Sequence, residues 1–271
     1  MTALSPFFSQ RVFAHRGLHD CDEKRPENSI AAITAARAAG YGVEIDVQLS
    51  ADGEAIVFHD YDLARLTDET GPIRQRSSEE LKQVRLKGDD PAWPQYVPRL
   101  SEVISAGSSP LLIELKDQDG ALGSNVGRLE EAVARTLHDD RLDLTEEEWS
   151  DIAVMSFNPH SVAAMKELAP EVPRGMTTCA FSEEDWPHIP AATRLRLAEI
   201  PDYDDVGACF ISHQHTDLAS RRVGNLKAEG AAVLCWTIRS EAEEIAARKV
   251  ADTITFEAYK PRIPALNPSK G

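Results

Sequence analysis

Charged side chains occur inside two of the apolar runs that would otherwise predict buried strands. Glu44 and Asp46 lie in one run, and Glu114 and Lys116 lie in another. Residues two apart on a strand point to the same side, so each pair projects from one face. Three converging carboxylates would repel each other and lose hydration, and a divalent cation would offset that cost. Carboxylate oxygens favour a hard ion, Mg²⁺ or Ca²⁺, over zinc.

A second interpretation of these carboxylates needs no metal. Arg16 follows the first predicted strand, and Lys116 is two residues from Glu114. Glu44 and Asp46 could be solvated charges at a strand end, or they could form ion pairs with these two cations. Structural ion pairs and functional sites both place charge on strands. The spacing of the residues therefore leaves both interpretations open.

Two histidines lie at the ends of predicted strands, His15 at the first and His59 after the run EAIVFHD. Imidazole titrates near neutral pH, so the pair could supply a general base and a general acid. Arg16 offers a guanidinium fork for phosphate oxygens. The alternatives are structural roles for the histidines and a simple ion pair between Arg16 and Glu44. Trp236 also ends a predicted strand, where it could form the floor of a pocket or pack in the core.

Strands and helices alternate along the chain. Strand-like runs are predicted at about Val12–Ala14, Val43–Gln48, Ala55–His59, Leu111–Lys116, Ile152–Ser156, Val172–Met176, Ala208–Ser212, Ala231–Thr237 and Asp252–Thr255. Helical patterns separate most of these runs, which predicts parallel strands joined by crossover helices. Roughly eight such units favour a closed (β/α)₈ barrel, the TIM barrel, over an open doubly wound sheet. Catalytic groups in such barrels lie at the carboxyl ends of the strands, where these charges fall.

One long segment interrupts this alternation. Residues from about 60 to 109 are rich in turn signals and too long for a single crossover, so we expect an insertion after the second barrel strand within one domain spanning residues 1–271. The insertion should contain a short helix, Ser78–Leu86, followed by a barrel helix, Arg99–Ala106. Because proposed site residues flank it, we expect Leu66–Gln95 to form a lid over the metal site.

Composition narrows the possible partners. The net charge is −16 and the pI is about 4.9, so a polyanion such as nucleic acid is an unexpected partner. The sequence has no apolar run of about 18 residues and no secretory signal at its start, which predicts a cytoplasmic protein without stable membrane association. The four cysteines are scattered without a CxxC pair, as is typical of free thiols in a reducing compartment.

Taken together, these residues resemble the glycerophosphodiester phosphodiesterase family. The resemblance covers almost the whole chain and lies in AHRG (14–17), RPENS (25–29), EIDVQLSADG (44–53), VFHD (57–60), VPRLSEV (97–103), LIELK (112–116), MSFNP (155–159) and CWTI (235–238). It implies a TIM barrel that cleaves glycerophosphodiesters into sn-glycerol 3-phosphate and an alcohol with a divalent metal. The oligomeric state is left open.

The resemblance also implies a role for each matching residue. The metal ligands would be Glu44, Asp46 and Glu114, and the acid/base pair would be His15 and His59. The groups that contact the substrate would be Arg16, Lys116 and, near the alcohol group, Trp236. The residues that support the loop after the first strand would be Glu27 and Asn28. Asp60, beside His59, could orient the imidazole or only fill the turn.

Two stretches depart from the family pattern. Arg239 stands where the family often has Asn after its seventh strand. Phe256 and Glu257 stand where it often has Thr-Asp after its eighth. These positions lie on the pocket rim in the family, so we expect the departures to bear on substrate recognition rather than on the chemistry.

Two other functions are compatible with the same barrel. One is a binding protein for phosphodiesters or sugar phosphates, which would not need a pair of proton-transfer groups. The other is a phospholipase D-type hydrolase acting on lysophospholipids or sphingomyelin. That enzyme would call for an apolar patch or a basic surface facing a membrane, and the acidic composition disfavours it.

Overall fold

Eight parallel strands close into a barrel in the computed structural model, which describes residues 4–5, 8, 10–107, 110–140 and 151–263. The barrel strands are β1 (Phe13–Ala14), β2 (Gly42–Leu49), β4 (Leu111–Leu115), β5 (Ile152–Ser156), β6 (Arg174–Thr178), β7 (Phe210–Gln214), β8 (Ala232–Ile238) and β9 (Thr253–Phe256). The ring closes because β1 pairs in parallel with both β2 and β9. The predicted (β/α)₈ barrel is thus confirmed.

Helices connect the barrel strands on the outside. They are α1 (Ile30–Ala38), α2 (Ser78–Leu81), α3 (Leu100–Ser105), α4 (Arg128–Asp140), α5 (Pro159–Leu168), α6 (Ala191–Ala198), α7 (Arg221–Ala228) and α8 (Glu241–Ala247). Side chains cap several helix starts: Ser29 accepts from the Ala32 amide of α1, and Asn158 accepts from the His160 amide of α5. Such caps satisfy amides that have no partner within the helix.

The inside of the barrel is apolar at its amino end and charged at its carboxyl end. At the amino end, one buried apolar cluster includes Phe13, Leu112, Phe210 and Leu234. Side chains two residues further along the same strands face the same interior. Leu112 is therefore followed on this face by Glu114, and Phe13 by His15. The same inward-facing positions of these strands are thus apolar at the amino end of the barrel and charged at its carboxyl end.

The predicted strand Ala55–His59 is not a barrel strand. It is β3 (Ala55–Val57), which pairs antiparallel with the outer half of β2. The hairpin brings the chain back to the level of the barrel mouth, where the Phe58 amide donates to the Asp46 carbonyl at 3.0 Å. Gln48 then holds the His59 carbonyl at 3.0 Å. His59 therefore reaches the mouth from the end of a hairpin and not from the end of a parallel strand.

The insertion after β2 packs around an apolar cluster of its own. That cluster comprises Ile56, Phe58, Leu63, Ile73, Leu81, Val84, Leu86 and Val97. Helix α2 stops at Leu81, five residues before the predicted end, and Leu86 then forms a β-bridge with Thr67. Helix α3 lies within the predicted barrel helix. That residues 1–271 form one domain stays a prediction, since parts of the chain lie outside the described residues.

Candidate active site

Three buried carboxylates meet at the carboxyl end of the barrel. Glu44 and Asp46 extend from β2, and Glu114 extends from β4 directly across from Asp46. Each offers an oxygen within 4.8 Å of the others, and all three are buried. Burial, together with the charges of Asp46 and Glu114, raises the pKa of Glu44 well above its ordinary value. The cluster therefore has the ligand type and spacing that suit a divalent cation.

Two cations also face this cluster, as the alternative interpretation of the carboxylates predicts. Lys116 Nζ lies 2.8 Å from Glu114 Oε1 and 3.4 Å from Asp46 Oδ1, and Arg16 Nε lies 3.3 Å from Asp46 Oδ2. Burial alone would raise the pKa of Asp46, but Lys116, His59 and Arg16 hold it below its ordinary value. The ion pairs are thus present together with the triad. Three carboxyl groups thus face two cations, and the raised pKa of Glu44 reflects this excess of acidic groups.

The loop after β1 fixes Arg16 against the carboxylates. Its backbone turns through positive φ at Arg16 (+55°) and Gly17 (+77°), and the Arg16 amide donates to Glu44 Oε2 at 3.0 Å. The Asn28 amide group donates to Asp46 Oδ2 at 3.0 Å, and Glu27 accepts from Arg16 at 2.8 Å. Glu27 and Asn28 therefore contact the site residues themselves as well as the loop.

Replacing Gly17 with a residue that carries a Cβ should destabilise the folded protein measurably. A Cβ there would lie 2.8 Å from the Ala32 carbonyl carbon and 2.9 Å from the Ile33 nitrogen, both backbone atoms of α1. We expect Gly17→Ala to lower the free energy of unfolding by about 3 kcal/mol, from left-handed strain and overpacking together. The matched control is Gly53→Ala, which has φ of +84° but no atom within 4 Å. Its expected cost is about 1 kcal/mol. Equal losses for the two variants in urea unfolding would contradict the close-approach argument.

His59 is held by a carboxylate that an arginine holds in turn. Its Nδ1 lies 2.7 Å from Asp60 Oδ1, and Arg65 Nε lies 2.6 Å from Asp60 Oδ2. Arg65 also bonds both oxygens of Glu27, each at 2.8 Å, which ties this group to the loop after β1. Nδ1 faces Asp60, so Nε2 is the ring nitrogen left for the cavity. Asp60 therefore orients the imidazole, which is one of the two roles that the sequence allows.

His15 has the same kind of partner from the far end of the chain. Its Nδ1 lies 2.6 Å from Glu257 Oε2, and Arg239 Nε lies 2.7 Å from Glu257 Oε1. Burial lowers the pKa of His15, and the Glu257 carboxylate opposes that shift. The sequence places Glu257 and Arg239 on the rim and misses their link to His15. The one available signal is that both depart from the family pattern.

All eight predicted site residues line one cavity of about 170 Å³. Its lining residues are His15, Arg16, Glu44, Asp46, His59, Glu114, Lys116, Met155, Phe157, Trp236, Thr237, Arg239 and Thr255. Phe157 and Trp236 meet edge to face at 5.5 Å and form an apolar wall, and Trp236 Nε1 donates to the Ser212 carbonyl at 2.9 Å. Trp236 thus serves as a pocket wall, and its packing holds it there.

Comparison with known proteins decides the family. A sequence model of the glycerophosphoryl diester phosphodiesterase family matches residues 15–255. The chain belongs to this family. A Bacillus subtilis relative, YhdW, is 26% identical over 239 residues, which cover 85% of this chain and 86% of that one. A glycerophosphodiester phosphodiesterase of Caldanaerobacter subterraneus subsp. tengcongensis is 29% identical over 180 residues, covering 65% and 69%.

Solved structures agree with the family assignment. A phosphodiesterase from Oleispira antarctica, in complex with its product sn-glycerol-3-phosphate, is 26% identical with a TM-score of 0.70. The match covers 91% of this chain and 92% of that one. Membership of the glycerophosphoryl diester phosphodiesterase family makes this chain a phosphoric diester hydrolase, so the predicted family and enzyme class are both confirmed.

In this protein the insertion lies beside the active-site cavity and does not cover it. None of the residues from 66 to 95, all of which the structure describes, lines the cavity. The Ser78 amide donates to Asp52 Oδ1 at 2.8 Å, and Gln95 Oε1 accepts from the Ala31 amide of α1 at 2.9 Å. The expected lid over the metal site is therefore wrong, because these contacts and the apolar cluster hold the segment against the β2–β3 hairpin and α1.

Every helix among the described residues is too short or too polar to span a lipid bilayer. The cytoplasmic location and the absence of stable membrane association stay predictions, as does the exclusion of nucleic acid.

Proposed function

We propose that this chain hydrolyses glycerophosphodiesters to sn-glycerol 3-phosphate and an alcohol, with a divalent cation and two histidines. The observation that carries the proposal is the single cavity lined by the carboxylate triad, Arg16, Lys116 and both imidazoles. The product bound to the Oleispira antarctica relative supports the choice of substrate class. A phosphodiester is anionic and resists nucleophiles, so its hydrolysis needs charge neutralisation as well as proton transfer.

Glu44, Asp46 and Glu114 would hold Mg²⁺ or Ca²⁺. The fit rests on three buried carboxylates within 4.8 Å and on the burial and mutual repulsion that raise the pKa of Glu44. A bound divalent cation neutralises phosphoryl oxygens and lowers the pKa of a coordinated hydroxyl. The Asn28 amide group, which donates to Asp46, keeps that carboxylate in a fixed orientation. The ligand set would therefore be preformed by β2 and β4.

Arg16 and Lys116 supply positive charge on either side of the triad. Both side chains are mostly buried and line the cavity. Burial alone would lower the pKa of Lys116, but Glu114 and Asp46 raise it above its ordinary value, so this amine stays charged. Because both side chains are mostly buried, their charges stabilise the transferring phosphoryl group more strongly than they would in bulk water.

His15 and His59 would carry out the two proton transfers of the reaction. Each ring has its Nδ1 on a carboxylate, so each presents Nε2 to the cavity. One imidazole takes the proton of the attacking group, which is water or the glycerol 2-hydroxyl. If the 2-hydroxyl attacks, water must then open the resulting cyclic phosphate to give sn-glycerol 3-phosphate. The other imidazole donates a proton to the departing alcohol oxygen. A protein that only bound phosphodiesters would have no use for two imidazoles held this way.

A substrate panel tests the proposal. We expect glycerophosphocholine and glycerophosphoethanolamine to be cleaved with kcat/KM at least about tenfold above that of lysophosphatidylcholine, since the cavity offers few apolar walls for an acyl chain. Production of sn-glycerol 3-phosphate should stop in EDTA and return with Mg²⁺ or Ca²⁺. A preference for lysophosphatidylcholine would indicate the phospholipase D-type alternative, and binding without turnover would indicate a non-catalytic barrel.

A further inference from the structure

We propose that Glu257, itself held by Arg239, positions His15 for proton transfer; this inference rests on the proposed function. Glu257 follows β9, the strand that closes the barrel against β1. The His15 amide donates to the Phe256 carbonyl at 2.9 Å, so strand pairing places residue 257 beside the imidazole. The two side chains are 242 positions apart in sequence and meet only because the barrel is closed.

The contact selects one tautomer of His15. A carboxylate accepts hydrogen bonds and does not donate them, so Glu257 Oε2 at 2.6 Å keeps the proton on Nδ1. Nε2 then carries the lone pair and faces the cavity that His15 lines. The hydrogen bond from His15 lowers the pKa of Glu257, which keeps the carboxylate ionised. Arg16 and Asp46 are the other charged groups near this imidazole.

Arg239 fixes the second oxygen of the carboxylate. Its Nε lies 2.7 Å from Glu257 Oε1, while His19 Nε2 lies 3.8 Å from Oε2, beyond hydrogen-bond distance. Without the guanidinium the carboxylate could rotate away from His15. Arg239 stands just beyond β8 and Glu257 just beyond β9, so the pair joins two neighbouring strand ends. Arg239 therefore acts on His15 through Glu257.

The second imidazole has a matching arrangement. His59 bonds Asp60, and Asp60 bonds Arg65, through atoms of the same types as in the His15 group. The two groups are built from unrelated segments, so the arrangement does not come from one local motif.

The experiment compares Glu257→Gln, Arg239→Gln and the double variant in full-length protein. Gln is nearly isosteric with Glu, and Arg239 is half exposed, so both variants should fold. The first readout is kcat and KM for glycerophosphocholine with saturating Mg²⁺ or Ca²⁺. The second is the ¹⁵N spectrum of labelled histidines at a pH where they are neutral, with the His15 signal assigned from its loss in His15→Gln. Glu244→Gln serves as the control, since Glu244 bonds Arg248 outside the cavity.

We expect Glu257→Gln to lower kcat at least about tenfold with KM within about twofold, because a positioning contact acts on the proton-transfer step. Arg239→Gln should lower kcat less, and the double variant should match Glu257→Gln, because Arg239 acts only through Glu257. The His15 signal should change from the Nδ1-protonated form to a mixture of tautomers. Glu244→Gln should leave both readouts unchanged.

Three results would overturn the inference. An unchanged kcat and tautomer in Glu257→Gln would remove its positioning role. Arg239 would be a direct substrate contact if Arg239→Gln raised KM and if the losses of kcat/KM in the two single variants multiplied in the double variant. An equal loss in Glu244→Gln would reduce the effect to general stability. A wild-type protein inactive on the whole substrate panel would contradict the proposed function, while the tautomer spectra would still test the positioning of His15.

Discussion

Glu44→Gln and Asp46→Asn are each expected to lower kcat at least about 10³-fold with glycerophosphocholine at saturating Mg²⁺ or Ca²⁺. The triad brings three buried carboxylate oxygens within 4.8 Å, and each substitution replaces one anionic ligand with a neutral amide. Several kcal/mol of transition-state stabilisation come from a bound cation, and about 1.4 kcal/mol corresponds to a factor of ten. Steady-state kinetics measure the loss of kcat, and cation titration by calorimetry measures the accompanying loss of cation affinity.

The stability of chelated protein separates a lost metal from a damaged fold. Burial and repulsion raise the folded-state pKa of Glu44, so the folded state binds its proton more tightly than the unfolded state does. The contribution of Glu44 to stability is thus present below the unfolded pKa, about 4.5, and is lost as pH rises through the raised value. At pH 8 in EDTA, Glu44→Gln should therefore have a Tm no lower than wild type. Added Mg²⁺ or Ca²⁺ should raise the wild-type Tm only.

Asp68→Asn is the matched control, since it removes one carboxylate charge from a side chain that is 97% exposed. Its kcat and its cation-dependent rise in Tm should equal those of wild type. If wild-type protein kept its activity after exhaustive chelation, or if Glu44→Gln retained a near wild-type rate, the carboxylates would be structural partners of Arg16 and Lys116 only.

The carboxylate triad could be predicted from sequence because its signal is local. Glu44 and Asp46 are two apart on one strand, and barrel strands carry their functional groups at the carboxyl end. Glu114 requires only that the next barrel strand be recognised, and pairing then sets it across from Asp46. Period-two alternation and the polarity of parallel strands were enough for this part of the site.

The path of the chain to His59 was harder to predict. The run Ala55–Val57 is apolar like a barrel strand, and composition does not tell a parallel strand from an antiparallel one. The turn before it, Asp52-Gly53, is a dipeptide typical of hairpins, with Gly53 at φ of +84°. That signal could have predicted the antiparallel pairing of β3. The position of the insertion, by contrast, depends on contacts of its apolar cluster that the local sequence does not encode.

Glu257 could not be found from sequence alone. Its contact with His15 joins the two ends of the barrel, so it depends on the closure of eight strands and on the register of β9 against β1. The family pattern marks Glu257 only as a departure on the pocket rim and does not indicate its contact with His15. Long-range pairs of this kind are visible only once the ring is closed.

His15→Ala and His59→Ala are each expected to lower kcat at least about 10²-fold, the lower range for loss of a general acid or base. Both variants should stay folded, since neither imidazole belongs to an apolar cluster in the described part of the chain. His160→Ala, on the exposed side of α5, is the control and should keep the wild-type rate. Full activity of either variant would remove that histidine from the mechanism.

The same two variants can show which imidazole is the acid. A glycerophosphodiester of p-nitrophenol has a leaving group that departs without protonation, so loss of the general acid should matter little for it. Loss of the general base should cost the same on this substrate as on glycerophosphocholine, because the attacking hydroxyl is unchanged. For the variant that lacks the acid, the loss of rate relative to wild type should therefore be at least about tenfold smaller on the nitrophenyl ester than on glycerophosphocholine. For the other variant, the loss should be the same on both substrates. Equal losses on both substrates in both variants would contradict separate acid and base roles, and would favour two histidines that only bind the phosphoryl group.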